Sequence, residues 1–296
     1  MGPAKAAMQQ QIDMSFGHTA EGEGLLKCLR DRPGVTLLFG ATDTGKTTLI
    51  RNLAFSLASH APTAVVDSDV GQSSVGPPAC VGACVVKGEL KSPAEAEMLH
   101  FVGDFSPQGH FLTLLSGLVR SLRWARDKGS VHILVDTTGF VTGGAALELK
   151  YHKVELTQPR HVILLERGKE LRPLLNAFHS RQDMEIHRLS ASEAASSIST
   201  EERRLYRQRS LSHYLEGANL FTMPLNLRIM VNPYSWQEDQ YGLLHRLVGL
   251  LDSQGSTRAV GVVRDADVEK EMLAVVAPLA SIEGVTHLRL GRVHKT

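Results

Sequence analysis

No stretch of this 296-residue chain is apolar for long enough to cross a bilayer, and Met1 to Phe16 is glutamine-rich without a hydrophobic signal core. The expectation is a soluble, cytoplasmic protein without a membrane partner. Its three cysteines, Cys28, Cys80 and Cys84, form neither an even set nor a C-x-x-C pair. That argues against a disulfide framework and against structural zinc, and the three read as small apolar residues. The thirteen histidines are scattered and never take H-E-x-x-H spacing, so no resident metal centre is implied. A formal net charge of +1 excludes a surface that is basic all over; any nucleic-acid binding must come from a local patch. No internal repeat or low-complexity tract is visible. The balance of 43% hydrophobic and 21% charged residues suits a folded chain of one large domain with, at most, an appendage.

What is present is a phosphate-binding loop. Gly40-Ala41-Thr42-Asp43-Thr44-Gly45-Lys46-Thr47-Thr48 follows the apolar run Val35 to Phe39 and fits G-x-x-x-x-G-K-[ST]. In this pattern the glycines let backbone N–H groups turn inward on a phosphate. Lys46 reaches the β and γ phosphates, and the Thr47 hydroxyl can ligate Mg2+. The periodic run Thr48 to Leu57 then reads as a helix, so the loop has the strand and helix it needs on either side.

Four further short apolar runs read as strands of a largely parallel sheet: Thr63 to Val66, Val131 to Val135, His161 to Leu165 and the candidate Met184 to Ile186. Between them, His110 to Arg123 and Leu147 to Leu156 have helical spacing. This alternation predicts an α/β fold, a doubly wound layer with ligands at the carboxyl ends of the strands. Residues 1–34 are weakly patterned, with Gly22, Gly24 and a turn at Asp31-Arg32-Pro33-Gly34, and are taken as a lead-in. The expected division continues with a phosphate-loop core at 35–191, a helical segment at 192–217 ended by Gly217, and a small C-terminal α+β appendage at 218–296. In that appendage Leu225 to Val231 and Thr286 to Leu290 alternate like strands, while Tyr241 to Leu251 reads as one amphipathic helix.

Two other groups fall at strand ends. Val65-Val66-Asp67-Ser68-Asp69-Val70-Gly71-Gln72 places carboxylates where one can hold a Mg2+-bound water or take a proton from an attacking hydroxyl. Asp67 and Asp69, two apart, point the same way in extended backbone. Gly71 lets the chain turn and offer Gln72 to a substrate. Leu134-Val135-Asp136-Thr137-Thr138-Gly139-Phe140 places Asp136 where phosphate-loop enzymes hold Mg2+ through water, and Gly139 permits close backbone approach to a γ phosphate. Asp-x-x-Gly also occurs in GTPases, but Leu165 to Glu170 lacks the Asn and Asp that read guanine. In the run Glu201 to Arg209, Arg203 and Arg207 are four apart and Arg204 and Arg207 three apart, so they share a helix side and could close over a triphosphate. The competing reading is a solvated face paired with Glu201 and Glu202.

Together these residues resemble the polynucleotide 5′-hydroxyl kinases of the phosphate-loop class, which include the kinases of pre-mRNA cleavage and ribosomal RNA processing and their prokaryotic relatives. The loop is similar to G-x-T-D-x-G-K-[ST]-[ST], Asp67 to Ser73 to D-x-D-x-G-Q-[GS], and Val102 to His110 to the G-x-x-[ST]-P segment before the next helix. Asp136 to Gly143 resembles [ND]-T-x-G-[WLF], Glu148-Leu149-Lys150 opens a helix as in prokaryotic members, and Tyr214 to Gly217 resembles the end of the family's lid. The resemblance implies ATP as donor, bound by Gly40, Thr42, Asp43, Thr44, Gly45, Lys46, Thr47 and Thr48. It implies Mg2+ held by Thr47, Asp69 and Asp136, partly through water, with Thr137 in support. Asp69 would be the general base. Gln72, Thr138, Gly139 and Phe140 would meet the 5′-hydroxyl end of RNA or DNA, and Arg204 and Arg207 would close from the lid. Phe140 stands where several relatives have Trp, and the 34-residue lead-in is expected to leave no room for the N-terminal β domain of eukaryotic members. Two other readings stay open: an ATP-binding assembly factor without transfer activity, against which Lys46, Thr47 and Asp69 speak, and an ATPase or small-molecule kinase on the same core. Nothing in the sequence bears on the oligomeric state.

Overall fold

Leu37 and Phe39 pack into one apolar core while Leu38, between them, packs into another. That alternation is why Val35–Gly40 (β1) is buried along its whole length. A strand covered on both faces lies inside a layered sheet. The computed structural model describes residues 19–88, 90, 95–192, 198–224, 228–230, 240–267 and 269–294, the side chains of 228–230, 240 and 241 excepted.

The core is the α/β layer that the sequence predicts. Around β1 stand His132–Thr137 (β5) and His161–Glu166 (β6), both parallel to it; Thr63–Ser68 (β2) adds in parallel to β5, and Glu185–Ser190 (β7) to β6. Cys80–Val85 (β3) and Met98–Phe101 (β4) extend the sheet antiparallel beyond β2, with Cys80 and Cys84 buried inside β3. On one face lie Ala20–Asp31 (α1) and Lys46–Ala58 (α2); on the other lie Phe111–Asp127 (α3), Gly144–Thr157 (α4) and Arg172–Phe178 (α5). The order β6-β1-β5-β2 puts β1 between two strands that come later in the chain. The chain leaves the carboxyl ends of β1, β2 and β5 side by side, the crevice where such sheets bind ligands.

Two expectations need correction. Residues 20–31, taken as lead-in, form α1, capped by the Thr19 hydroxyl, which accepts from the Gly22 amide at 3.0 Å. Gly22 and Gly24 look like a turn, but Leu25, Leu26 and Leu29 hold helical spacing and pack with the α2 residues Leu53 and Leu57. Tyr241 to Leu251 is not a helix: Gln240–Leu243 is a short 3-10 turn, His245 takes φ +62°, and Arg246–Leu251 is a strand (β10). Because β10 is buried on both faces, its apolar residues run together without the alternation that marks a strand.

Thr200–Tyr214 is a helix (α6) opened by a capping box, in which Ser199 and Glu202 satisfy each other's free amides. Gly217, at φ +70°, follows it. Beyond lie Asn219–Pro224 (β8), Arg228–Met230 (β9), β10, Thr257–Asp267 (β11), Met272–Ala277 (β12) and His287–His294 (β13). The expected strand Leu225 to Val231 is described only at its β9 portion. These strands are antiparallel apart from β9 with β13, and β11 continues the core sheet by pairing Thr257 with Leu99 of β4. No helix among the described residues is long and apolar enough to cross a membrane.

Candidate active site

The phosphate loop leaves β1 and enters α2 through Gly45, whose φ of +92° needs a residue without Cβ. Gly40 cannot take a side chain either: a Cβ there would come within 2.7 Å of both the Leu165 carbonyl and the Thr44 hydroxyl. Lys46 is only 6% exposed, and its ammonium donates to the Ala41 carbonyl at 2.8 Å, so the loop curls around its own lysine. The Thr44 hydroxyl caps the same carbonyl at 2.9 Å. At the other side of the loop the Thr47 hydroxyl donates to Asp136 Oδ2 at 2.7 Å, joining two groups 89 residues apart in sequence.

Past β2 the chain forms a loop built on Asp67. Its carboxylate is fully buried and accepts from the amide of Asp69 (2.8 Å), the amide and hydroxyl of Ser74, and the amide of Val75 (3.2 Å). Asp67 and Asp69 therefore do not act as an aligned pair: the strand ends at Ser68, Asp67 holds the loop, and Asp69 stands on it, half-buried. Asp69 Oδ1 accepts from the amides of Gly71 and Gln72 at 3.0 and 3.1 Å. Its Oδ2 takes no hydrogen bond among the described residues. Gly71 is needed because a Cβ would lie 2.9 Å from the Phe105 carbonyl.

Asp136, 1% exposed, stands one residue before the end of β5 beside Asp67, with which it is in register. The Thr137 amide donates to its Oδ1 at 2.9 Å, and the Ser68 hydroxyl to its backbone carbonyl at 2.7 Å. Gly139 is required by a neighbour within the protein. A Cβ there would come within 2.3 Å of the Thr42 hydroxyl and 2.6 Å of the Thr42 amide, so what approaches it is the phosphate loop itself. Thr42 thus packs the loop against the segment 138–140. Phe140 is half-buried, its ring 6.4 Å from that of Phe111.

Helix α6 lies across these loops on one face. Arg203 Nη2 donates to Asp43 Oδ2 at 2.6 Å, the Tyr206 hydroxyl to the Ser73 carbonyl at 2.7 Å, and the Arg207 guanidinium stacks 5.0 Å from the Phe105 ring centroid. Asp43 Oδ2 also accepts from the Ile198 amide at 2.9 Å. The Asp43 carboxylate thus ties the loop to the helix. Arg204, expected to close over the phosphates, is exposed and pairs with Glu201 at 2.7 Å. The inward face is 203, 206, 207, 210 and 211, an i, i+3, i+4, i+7, i+8 stripe that ends on buried Ser210 and Leu211. Leu211 stands seven residues from Arg204 and eight from Arg203, both helical spacings, so the contact with Asp43 and not the sequence count separates the two arginines.

Sequence reasoning also passed over Lys150 and Lys153, both fully buried on α4. The Lys150 ammonium donates to the Thr138 carbonyl at 2.6 Å and the Thr137 hydroxyl at 3.0 Å; that of Lys153 donates to the Ser68 hydroxyl at 2.7 Å. Burial governs the electrostatics here. It pushes the Asp67 carboxyl up to about 7, with Asp136 and Asp69 adding repulsion, and it also raises Asp136, which Lys46 and the Thr47 hydroxyl partly restrain. Burial lowers Lys153 to about 8 and holds Lys150 well below the usual lysine range, the neighbouring lysines adding to the second shift.

At the opposite, amino-terminal ends of β6 and β7, His161, Glu185 and His187 bring ligand atoms within 4.8 Å of one another. The protein already engages them: His161 Nε2 is 2.7 Å from the Arg32 carbonyl, its Nδ1 is 3.1 Å from His187 Nε2, and Glu185 is paired with Arg32.

A family model described as mRNA cleavage and polyadenylation factor CLP1 P-loop matches residues 40–217, the span from the phosphate loop to the glycine after α6. The chain belongs to the CLP1 P-loop family. Among curated members, it is 29% identical to a polyribonucleotide 5′-hydroxyl-kinase of Pyrococcus furiosus, with 88% of each chain covered. It is also 29% identical to one of Thermococcus kodakarensis, covering 90% of this chain and 89% of the relative. Among solved structures, the wild-type Clp1p–Pcf11p complex superposes with a TM-score of 0.72 at 14% identity, over 91% of this chain and 77% of the other, a likeness of fold.

Proposed function

We propose that this chain is a polynucleotide 5′-hydroxyl kinase, which transfers the γ-phosphoryl group of ATP to the 5′-hydroxyl end of RNA or DNA with Mg2+. The observation that carries this reading is the meeting of three loops at one sheet edge: Lys46 and Thr47 on the first, Asp69 on the second and Asp136 on the third, with Thr47 and Asp136 already bonded at 2.7 Å. The archaeal relatives named as polyribonucleotide 5′-hydroxyl-kinases cover most of the chain and favour RNA as the acceptor.

The residues fit the ligands. A lysine, a helix N-terminus, a hydroxyl and carboxylates are hard donors and charges of the kind that hold phosphate and Mg2+. Thr138 Oγ1 and Arg203 Nε are buried without a hydrogen-bond partner among the described residues, as groups kept for a polar ligand would be. Thr47 and Asp136 would hold Mg2+, with Asp69 contributing through water. Held there, Mg2+ would supply positive charge against that of the phosphates.

Lys46 and Arg207 stabilise the negative charge of the transferring group, joined by Arg203 in place of Arg204. Asp69 Oδ2 accepts the proton of the 5′-hydroxyl, while the Gly71 and Gln72 amides keep the carboxylate oriented. Gln72 and the Thr138–Gly139 backbone contact the terminal nucleotide, and Phe140 offers it a ring face. In this reading residues 35–191 are the kinase core, 192–217 the lid and 218–296 an appended β structure, and the protein works in the cytoplasm.

Incubation of the protein with γ-labelled ATP, Mg2+ and short 5′-hydroxyl RNA and DNA tests the reading. Label is expected on the RNA, and none in Asp69→Ala. Tight nucleotide binding with no label on either polymer would overturn it in favour of an assembly factor, and label on mononucleosides alone would favour a small-molecule kinase.

A further inference from the structure

Burying an ammonium costs several kcal/mol unless it is well paired, and α4 buries two, three residues apart on one helix face where they repel each other. A pair of methionines would fill the same space with no such cost. The lysines are therefore poor choices for stability alone, and their hydrogen bonds indicate another use.

Lys150 grips the Thr138 carbonyl and the Thr137 hydroxyl, and that hydroxyl in turn donates to the Leu38 carbonyl of β1 at 2.7 Å. The Lys150 ammonium also sits 5.1 Å from the Phe39 ring centroid. Lys153 grips the Ser68 hydroxyl, which donates to the Asp136 carbonyl. One helix face thus ties together the carboxyl ends of β1, β2 and β5, the three strands from which the phosphate loop, the Asp69 loop and the Asp136 to Phe140 segment emerge. Each tie ends beside a residue of the site: Ser68 precedes Asp69, and Thr138 precedes Gly139, against which Thr42 packs.

We propose that Lys150 and Lys153 are positioning residues that set the acceptor side of the site against the donor side: Lys150 fixes the strip Thr138 to Phe140 that receives the polynucleotide end, and Lys153, through Ser68, fixes the loop that carries Asp69. The roles of these two segments rest on the kinase reading above; their fixation by the lysines does not. Lys150→Met and Lys153→Met fill the same volume without a donor. The two therefore act on different quantities: the first on capture of the acceptor, the second on the chemical step.

Hydrogen exchange and kinetics of both variants test this. In Lys150→Met the amides of Gly139 and Phe140 are expected to exchange at least tenfold faster, and in Lys153→Met those of Asp69 to Gln72, with the α4 amides and thermal stability no lower than in the parent. Nucleotide affinity stays within about threefold. Lys150→Met raises KM for a 5′-hydroxyl oligonucleotide about tenfold, Lys153→Met lowers kcat about tenfold, and Lys150→Arg recovers part of the KM. Unchanged loop exchange in both variants, or kinetics equal to the parent alongside lowered stability, would overturn the positioning roles. A parent that transfers no phosphate sinks the kinase reading alone, and the exchange experiment still decides the roles of the lysines.

Discussion

The donor and acceptor sides of this site are built in opposite ways. The donor side is local: nine consecutive residues, Gly40 to Thr48, supply the turn, the lysine and the hydroxyl, and the Ala41 carbonyl that receives both Lys46 and Thr44 lies within the loop. The acceptor side is assembled from separate segments, with Asp69 on the loop after β2, Thr138 after β5 held by Lys150 of α4, and Lys153 of the same helix reaching Ser68 across 85 residues. A local site survives small shifts of its scaffold because its parts move together. A composite one depends on each tie, so mutations on the two sides should differ in kind.

The largest effects test whether both sides take part in one reaction. Lys46→Met and Asp69→Asn are each expected to lower the rate of transfer to a 5′-hydroxyl by about 1,000-fold. Only Lys46→Met should also weaken nucleotide binding, which equilibrium titration with a fluorescent ATP analogue measures. Equal loss of nucleotide affinity in both would erase the distinction between the sides. Next comes the lid: Arg203→Ala should lower kcat about 100-fold, within the range for a charge acting on the transferring phosphoryl, and Arg204→Ala should leave it within about twofold. The reverse order, read from steady-state rates, would return the role to Arg204. Phe140→Ala should weaken oligonucleotide binding about tenfold by loss of a stacking face, with nucleotide affinity unchanged, measurable by fluorescence anisotropy.

The last effect is on stability, and it is independent of pH below about pH 8. Burial lowers Lys153 to about 8 from an ordinary 10.5. Below about pH 8 both folded and unfolded chains carry this proton. Between about 8 and 10.5 the unfolded chain binds it and the folded chain does not, so its term makes stability rise with pH by about 1.4 kcal/mol per unit. Urea denaturation of Lys153→Met should show a rise shallower by that amount across this window and the same slope as the parent below it. Matching slopes throughout would place the Lys153 pKa near its usual value.

What could be read from the sequence follows the same division. The phosphate loop was complete in its own residues, and β1, β2, β5 and β6 announced themselves as short apolar runs. Asp69, Gln72 and Phe140 were visible because each follows such a run. The ties were not. Lys150 and Lys153 look like the polar face of α4 until its packing turns them onto the sheet, and the tie from Asp43 to α6 spans 160 residues. Arg203 is told from Arg204 by that contact, not by helical phase. Strand β10 read as a helix because cover on both faces removes the alternation that a half-buried strand shows. Contacts over long sequence separations are set by tertiary packing, which no local pattern reports.

The most direct test of the central claim, that the two sides meet in one transfer, is a competition between two RNA oligonucleotides identical except at the 5′ end, one bearing a hydroxyl and the other a phosphate. With the protein, Mg2+ and γ-labelled ATP, the expected result is label on the first alone, located by nuclease digestion on its terminal 5′ oxygen and absent in Asp69→Asn. Label on neither oligonucleotide while phosphate is released to water, or label at a 3′ end, would contradict it.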